Sequence, residues 1–592
     1  METEQVVNPT FGPTLYGAQL FINKSDVFNG NALPVVIDVE TDEKDNFVGL
    51  AICGDPKTVC YYSQLSLVPH WINEVPLIGH NLKFDMKLLK KWGINVSSNR
   101  MFFDTCLASY VMNTTKDTHS LKDLAKEYLG YEWPTYKDMV GKGKKKVTLD
   151  KQEVGRVAAY CGMDTLATYQ LYQYFMRKMN PQHRRILEYI ELPVARALMD
   201  MELTGAMIDL PYLSTLDTQF QVKLTELEGK IRDQWFVIKG QDNKEDKPFN
   251  VNSNRQVAEL LEAQGAILPT TEKGNKKVDK ITLQQWINIP SVPLLLEYSK
   301  IEKLHSTYTQ SLLSKQQEGR IHCDFNQISK NEQGADVGIS TNRLSSSNPN
   351  LQNIPARSEE GKLIRRAFIA PKNQILIDAD YSQIEYRLLA HFSKEPRLIQ
   401  AFKDGKDVHE ETGKALGCSR DIGKTLNFAS IYGAQAAKIS RTAKVSESDA
   451  EQFLNSYWKV LPRVTAWIHR VKFEARAKKG IFTLNRRWIP LPGIMSGNRF
   501  ERMHWERAAV NYIIQGSAAE VMKLALIKLA EFGYKPILTV HDEFIFEHQQ
   551  DYRPIEAAIA DIKNIMESVV KLDVPLIADI GSGVNWQEAK GD

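Results

Sequence analysis

The sequence lacks any uninterrupted apolar run long enough to span a bilayer, which argues against a membrane-embedded protein. The opening METEQVVNPTF has neither the basic start nor the apolar core of a secretion signal, so a cytoplasmic protein is expected. Cysteine is sparse: Cys53, Cys60, Cys106, Cys161, Cys323 and Cys418 include no CxxC pair. That spacing excludes a disulfide framework and a zinc module, and leaves reduced, structural thiols. Net charge is small as well, +3 from 75 basic and 72 acidic side chains, so composition does not announce a polyanion partner. Any nucleic-acid surface must be local. GKGKKK at 141–146 and RAKKG at 476–480 are candidates, although a solvated loop is the commoner reading of each.

What is present is length and patterned acid. A chain of 592 residues exceeds the roughly 250–300 at which single cores stop growing, so several domains are expected. ILIDADYSQIEYRLLAHF, from Ile375 to Phe392, places Asp378 and Asp380 at the end of a β-type run, and the spacing of Ile384, Leu388, Leu389 and Phe392 then predicts a helix. Ser382 followed by Glu385 predicts a capping box at the helix start. Such a junction is a rigid place to hold a metal ion, but acids at strand-to-helix junctions are common.

The first third spreads further acids over four segments. LPVVIDVETD puts Asp38 and Glu40 on one strand face, where a divalent metal would relieve their repulsion; taken alone, a surface strand is the commoner reading of such a pair. Asp85 falls at a strand-to-helix change in IGHNLKFDMKLL, and Asp104 in MFFDTCLASYVM. Tyr160 and Asp164, four apart in a helical pattern, share one face, where a hydroxyl beside a carboxylate could orient a metal-bound water.

The ordered set DVET, HNLKFD, FDTCLASYVM, SLKDLAKEYLG and YCGMD resembles the 3′-to-5′ proofreading exonuclease of the DnaQ-like (RNase H-like) superfamily, as attached to family A DNA polymerases. The resemblance implies that Asp38, Glu40, Asp85 and Asp164 surround two metal ions and that Tyr160 aids the attacking water. It leaves Asp104 between a site role and helix capping.

Residues 185–320 read as helices, with Gly205 ending one of them and polar or basic loops at QDNKEDKP (241–248) and KGNKKVDK (273–280). ELPVARALMDMELTGAMID, FNVNSNRQVAELL and LLEYSKIEKLHSTYTQSLL resemble the thumb of family A polymerases, without a long insertion. TNRLSSSNPNLQNIPARS is a polar loop suited to sugar, phosphate and minor-groove contacts, and resembles a family phrase in which a glycine usually stands where Asn342 does. In SRDIGKTLNFASIYG, Arg420, Lys424, Phe428 and Tyr432 form one helical stripe, two cations for phosphates and two aromatics for a base. Arg507, Asn511 and Gln515 repeat the four-residue step, and ILTVHDEFIFE reads as a hairpin carrying His541, Asp542 and Glu543.

These phrases resemble family A polymerases as well, and imply an α/β multidomain enzyme: an exonuclease domain at 1–178 and a right-hand polymerase at 179–592. Within the latter the thumb is expected at about 185–320, the palm at about 321–410 and 511–592, and the fingers at about 411–510. The family match implies Asp380 and Asp542 as holders of two Mg²⁺, with Tyr381 also counted as a ligand and Glu543 at the edge. Two further Mg²⁺ are implied at the exonuclease site, with Mn²⁺ able to substitute. Arg420 and Lys424 are implied at the phosphates of a dNTP, with Phe428, Tyr432, Glu385, Tyr381 and His541 around the nucleotide. Glu385 with Tyr432 is implied as a gate against the ribose 2′-OH. Arg343, Asn353, Arg507, Asn511 and Gln515 are implied on primer-template DNA. A monomer is expected, with helicase, primase and single-strand binding protein as replisome partners and no 5′ nuclease domain. The compact layout points to phage replication, with a bacterial or organellar repair enzyme, a stand-alone exonuclease and a silent DNA-binding protein as alternatives.

Overall fold

The computed structural model describes residues 6–7, 17–24, 34–143, 146–239, 249–330, 336–337, 341–356, 358–433, 436–551 and 553–591. Two large hydrophobic cores organise them. The N-terminal core is built on a seven-stranded sheet in the order Val6–Val7, Gln19–Ile22, Thr58–Tyr62, Phe47–Asp55, Val35–Thr41, Leu77–Gly79, Met101–Asp104. Val35, Val36, Ile37 and Val39 are all buried, the near-continuous apolar run of a strand covered on both faces. The helix Val154–Lys178 crosses this sheet, and its small residues permit a close approach: a Cβ at Gly162 would stand 3.4 Å from Leu20 and Val59.

The C-terminal core surrounds a four-stranded antiparallel sheet in the order Pro536–Val540, Glu543–Gln549, Gln374–Tyr381, Ala578–Gly583. Gln374–Tyr381 is paired on both sides, with Asp380 opposite Glu543 on one neighbour and Asp579 on the other. The 185–320 region is helical as expected, through Leu192–Thr204, Leu210–Lys239, Asn254–Ala263 and Ser291–Leu304. Gly205 follows the first of these at φ +65, and a Cβ there would meet His322 and the Ile321 carbonyl at 2.8 Å. The loop at 241–248 lies outside the described residues, as do positions 144 and 145. Several candidate phosphate-binding lysines have acidic partners: Lys276 with Glu262 at 2.7 Å, Lys478 with Glu474 at 2.9 Å, and Lys146 with Glu43. No helix among the described residues is long and apolar enough to cross a membrane.

A buried ionic junction joins the two cores. Glu191 accepts from Lys523 Nζ at 2.8 and 3.0 Å and pairs with Arg487, while Arg487 Nε stands 3.6 Å from Glu520. All four side chains are almost completely withdrawn from solvent. Burial alone would raise the Glu191 carboxyl, but Lys523 and Arg487 hold it at about 2. The same burial draws the Lys523 ammonium down to about 8 despite Glu191. Glu191 faces two cations and gains; for Lys523, burial and the neighbouring Arg487 charge outweigh Glu191 and Glu520, and it loses. The junction therefore adds little net stability while being costly to break on one side. Glu191→Ala should cost about 3–5 kcal/mol in urea denaturation, whereas Glu410→Ala, which removes an exposed pair with Lys414, should cost under about 0.5 kcal/mol. Equal midpoints for the two variants would contradict this account.

Two acid clusters as candidate active sites

The first cluster forms where Val35–Thr41 meets two helices. Leu77–Gly79 runs through Asn81, held at φ +62, into the helix Leu82–Lys91, and Asp85 in its first turn accepts from the Val39 N–H at 3.2 Å. The sheet thus carries Asp38 and Glu40 up to Asp85, and Val154–Lys178 adds Tyr160, Cys161 and Asp164. Cys161 Sγ donates to Asp38 Oδ2 at 3.3 Å, and one ligand atom each of Asp38, Glu40 and Cys161 lies within 4.8 Å of the others. Burial and then the Asp164 charge push the Asp38 carboxyl up to about 8; burial and the neighbouring acids raise Glu40 and Asp85 well above the carboxylate range. Such a set of hard oxygen donors, crowded beyond what its charges tolerate, fits a divalent cation. Tyr160 keeps its phenol proton, because burial and Asp164 disfavour the phenolate.

All five residues expected at this site come together. Two others were not expected. Trp133 Nε1 donates to Asp164 Oδ1 at 2.6 Å, and Lys122 pairs with the same carboxylate, its ammonium 4.0 Å from the Trp133 ring centre and 4.4 Å from that of Tyr160. Asp104 resolves to the capping alternative. Its carboxylate accepts from the N–H groups of Cys106 at 2.9 Å and Leu107 at 3.1 Å, capping Thr105–Met112, and from Leu82 at 2.8 Å and Asn81 at 3.2 Å, at the start of the Asp85 helix.

The second cluster sits at the end of Gln374–Tyr381. The turn joining Pro536–Val540 to Glu543–Gln549, His541 (φ +55) and Asp542, is pinned to it by a bond from Tyr381 N–H to the Asp542 carbonyl at 3.0 Å. Asp380 and Asp542, remote in sequence, are therefore neighbours. Burial pushes the Asp542 carboxyl up to about 6, with Arg343 opposing and Glu385 and Asp380 adding to it. Burial also raises Asp380, against Lys590. Lys590 was not expected here: its Nζ donates to Asp380 and Glu543 at 2.8 Å each and lies 3.6 Å from Asp378. Glu543 is further held by Trp586 Nε1 at 2.6 Å and Arg365 at 3.5 Å. Asp378, unexplained by its sequence, is buried and pushed up to about 9 by desolvation and Glu543, so it stands protonated beside that carboxylate.

Two expectations are corrected. No capping box forms at Ser382: the helix Ile384–Ser393 starts after Gln383, left-handed at φ +55 and without a side-chain cap, and the Glu385 carboxylate pairs with Arg343 instead. An ion pair outcompetes a local cap. The Tyr381 side chain does not join the acid cluster: it is buried, and its hydroxyl donates to the Met566 carbonyl at 2.5 Å.

The stripe Arg420, Lys424 and Phe428 lies on the helix Arg420–Tyr432; the Tyr432 side chain is outside the described residues. Arg420 is exposed and bonded to Asp407 at 2.7 and 2.8 Å, and the exposed Phe428 ring is centred 5.8 Å from that of His409. Behind it, buried Asn427 accepts from Tyr386 OH at 2.6 Å and bonds His409 at 2.9 Å, anchoring this helix to the one after Asp380. Arg507, Asn511 and Gln515 share the helix Arg499–Glu531; Asn511 Oδ1 is buried with no hydrogen-bond partner, and a Cβ on Gly433 (φ +60) would come within 3.0 Å of Arg507. Asn353 is exposed, its carbonyl taken by Tyr308, and Arg357 lies outside the described residues.

Residues 211–588 match DNA polymerase family A, and residues 31–180 match a 3′-5′ exonuclease. The chain belongs to DNA polymerase family A. Its family A polymerase domain follows an N-terminal 3′-5′ exonuclease domain. The chain is 34% identical to DNA polymerase I of Synechocystis sp. over 94% of its length and 33% identical to DNA polymerase I of Pseudomonas aeruginosa over 86%. It spans 60% and 56% of those two relatives. The solved POL domain of Pol1 from M. smegmatis, in complex with DNA primer-template and dNTP, matches with TM-score 0.80 at 27% identity, covering 95% of this chain and 97% of that one.

Asp104 serves two helices, so Asp104→Ala should destabilise the exonuclease domain by about 2–4 kcal/mol in urea denaturation. Ser120→Ala, removing the cap of the single helix Leu121–Leu129, should cost about 1 kcal/mol. A smaller loss for Asp104→Ala than for Ser120→Ala would contradict the double-cap reading.

Proposed function

We propose that the chain is a template-directed DNA polymerase that adds dNTPs to a primer 3′-OH, and that its N-terminal domain excises mispaired 3′ ends. The observation that carries this reading is the convergence of Asp380 and Asp542 at one strand end, with the helix bearing Arg420, Lys424 and Phe428 anchored through Asn427 to the helix that follows Asp380. The DNA primer-template and dNTP bound to the M. smegmatis relative support the same substrates here.

In this reading residues 1–178 are the exonuclease, about 185–320 the thumb, about 321–410 with 511–592 the palm, and about 411–510 the fingers. Asp380 and Asp542 would hold two Mg²⁺, and Asp38, Glu40, Asp85 and Asp164 would hold two more; Mn²⁺ could substitute. When bound, such ions polarise phosphoryl oxygens and favour the deprotonated form of the attacking oxygen. The protein supplies the rest. Arg420 exchanges Asp407 for a triphosphate, Lys424 adds a second positive charge, and both offset charge developing during transfer. Phe428 packs on the nucleotide, Tyr432 serves the template junction, and His541 flanks the site. Glu385 closes against the ribose 2′ position. Arg343, Asn353, Arg507, Asn511 and Gln515 bind the minor groove and backbone near the primer end, where acceptors recur at every base pair. Glu543, clamped by Trp586 and Lys590, keeps the floor of the site in place. At the exonuclease site Tyr160, a protonated phenol, orients the attacking water without acting as a base. The protein works as a monomer in the cytoplasm. The bacterial origin of the named relatives favours a bacterial enzyme over a phage one.

A labelled primer-template with Mg²⁺ should be extended when dNTPs are present and shortened when they are absent. Asp380→Ala should reduce extension by about 100-fold or more and spare shortening, while Asp38→Ala should do the reverse. Intact extension by Asp380→Ala sinks the assignment. Phe428→Tyr adds a hydroxyl beside the sugar and should ease dideoxynucleotide incorporation by roughly three- to tenfold, the worth of one hydrogen bond. Unchanged chain termination in the same assay would refute the placement of Phe428.

A further inference from the structure

Asn342 stands where the two domains meet and belongs to neither acid cluster. It holds φ +59, a left-handed conformation that Asn adopts more readily than most residues. Its amide reaches across the domain junction: Oδ1 accepts from Lys523 Nζ at 2.6 Å and from Tyr110 OH at 3.4 Å, and the residue is fully buried. Tyr110 lies on the exonuclease helix Thr105–Met112, and Lys523 on the helix that carries Arg507, Asn511 and Gln515. The next residue along the chain is Arg343, which pairs with Glu385 and lies close enough to Asp542 to act on its charge.

We propose that Asn342 is a positioning residue: it fixes Arg343 at the polymerase site and registers it against the exonuclease domain through Tyr110, so that the balance of extension and excision depends on it. The proposal rests on the two activities assigned above. A left-handed residue has a narrow range of φ and ψ, and here its side chain is tethered at one atom, which leaves little freedom to the residue that follows. The tethers are unequal. Lys523 is close and charge-assisted, whereas Tyr110 is at the long limit of a hydrogen bond, a contact that can be surrendered without unfolding either domain. The pairs of Glu191 with Lys523 and Arg487 do not pass through Asn342, so loss of its amide leaves them standing.

The test uses the full chain and three variants on matched primer-template, mismatched primer-template and single-stranded DNA. N342G keeps the left-handed backbone and deletes the amide, Y110F deletes one hydroxyl, and N342D keeps an acceptor facing Lys523. N342G should slow extension of a matched primer by about fivefold, the worth of one hydrogen bond, leave excision of single strands unchanged, and so raise excision relative to extension. Y110F should shift the ratio the same way by about twofold, and N342D should return it towards the wild type. An unchanged ratio in both N342G and Y110F overturns the proposal. So does a parallel fall of both activities with the thermal midpoint, which is the mark of a merely structural role. A wild-type protein that fails to extend primers at all overturns the assignment of activities instead, and the two failures are thereby distinguished.

Discussion

Mutual repulsion of carboxylates in a low-dielectric setting is the constraint on which both halves of this molecule are built. Each domain gathers acids on a strand end and draws at least one more from a different element. Each also places a single lysine among them, Lys122 against Asp164 and Lys590 against Asp380 and Glu543. A lysine there does two things at once. It lowers the cost of holding the acids together when no other cation is present, and it leaves a compact charge that a divalent ion can outweigh. Neutral neighbours add to this: Cys161 donates to Asp38, and Asp378, its carboxyl pushed up by burial and Glu543, lies against Glu543.

The same physics at the domain junction has a different result. Glu191, Arg487, Lys523 and Glu520 are paired in full burial, where desolvation offsets most of the attraction. A junction of this kind contributes registry more than stability, because any slip would strand a charge without a partner. Lys523 and Tyr110 both donate to Asn342 Oδ1, so the helix bearing Tyr110 and the loop leading to Arg343 meet beside this junction. The two domains are thereby aligned by polar specificity, around which the apolar cores are free to be ordinary.

Much of this was legible in the residues. Asp38 and Glu40 two apart on a strand, Tyr160 and Asp164 four apart on a helix, and the Arg420–Lys424–Phe428 stripe follow from the two backbone periods alone. What was illegible has a common cause: it depends on partners remote in sequence. Lys122 and Lys590 look like surface lysines until the fold brings acids to them. Asn427 falls off the stripe that drew attention to its helix, and its value lies in reaching Tyr386 and His409 behind it. Ser382 and Glu385 obey a sound local rule, yet the distant Arg343 offers Glu385 the stronger partner. Tyr381 follows Asp380 directly, and the alternation of a strand sends its ring to the opposite face, into the core.

The strand order of the polymerase sheet has one more implication. Gln374–Tyr381 lies between Glu543–Gln549 and Ala578–Gly583, and Lys590 then reaches back to Asp380. As the chain leaves the ribosome, every acid of the N-terminal cluster has emerged by Asp164, whereas the strand bearing Asp380 waits for Glu543–Gln549 and Ala578–Gly583 before either neighbour exists. Domains fold as units, N-terminal first. The N-terminal acid cluster is therefore assembled ahead of the one on the C-terminal sheet.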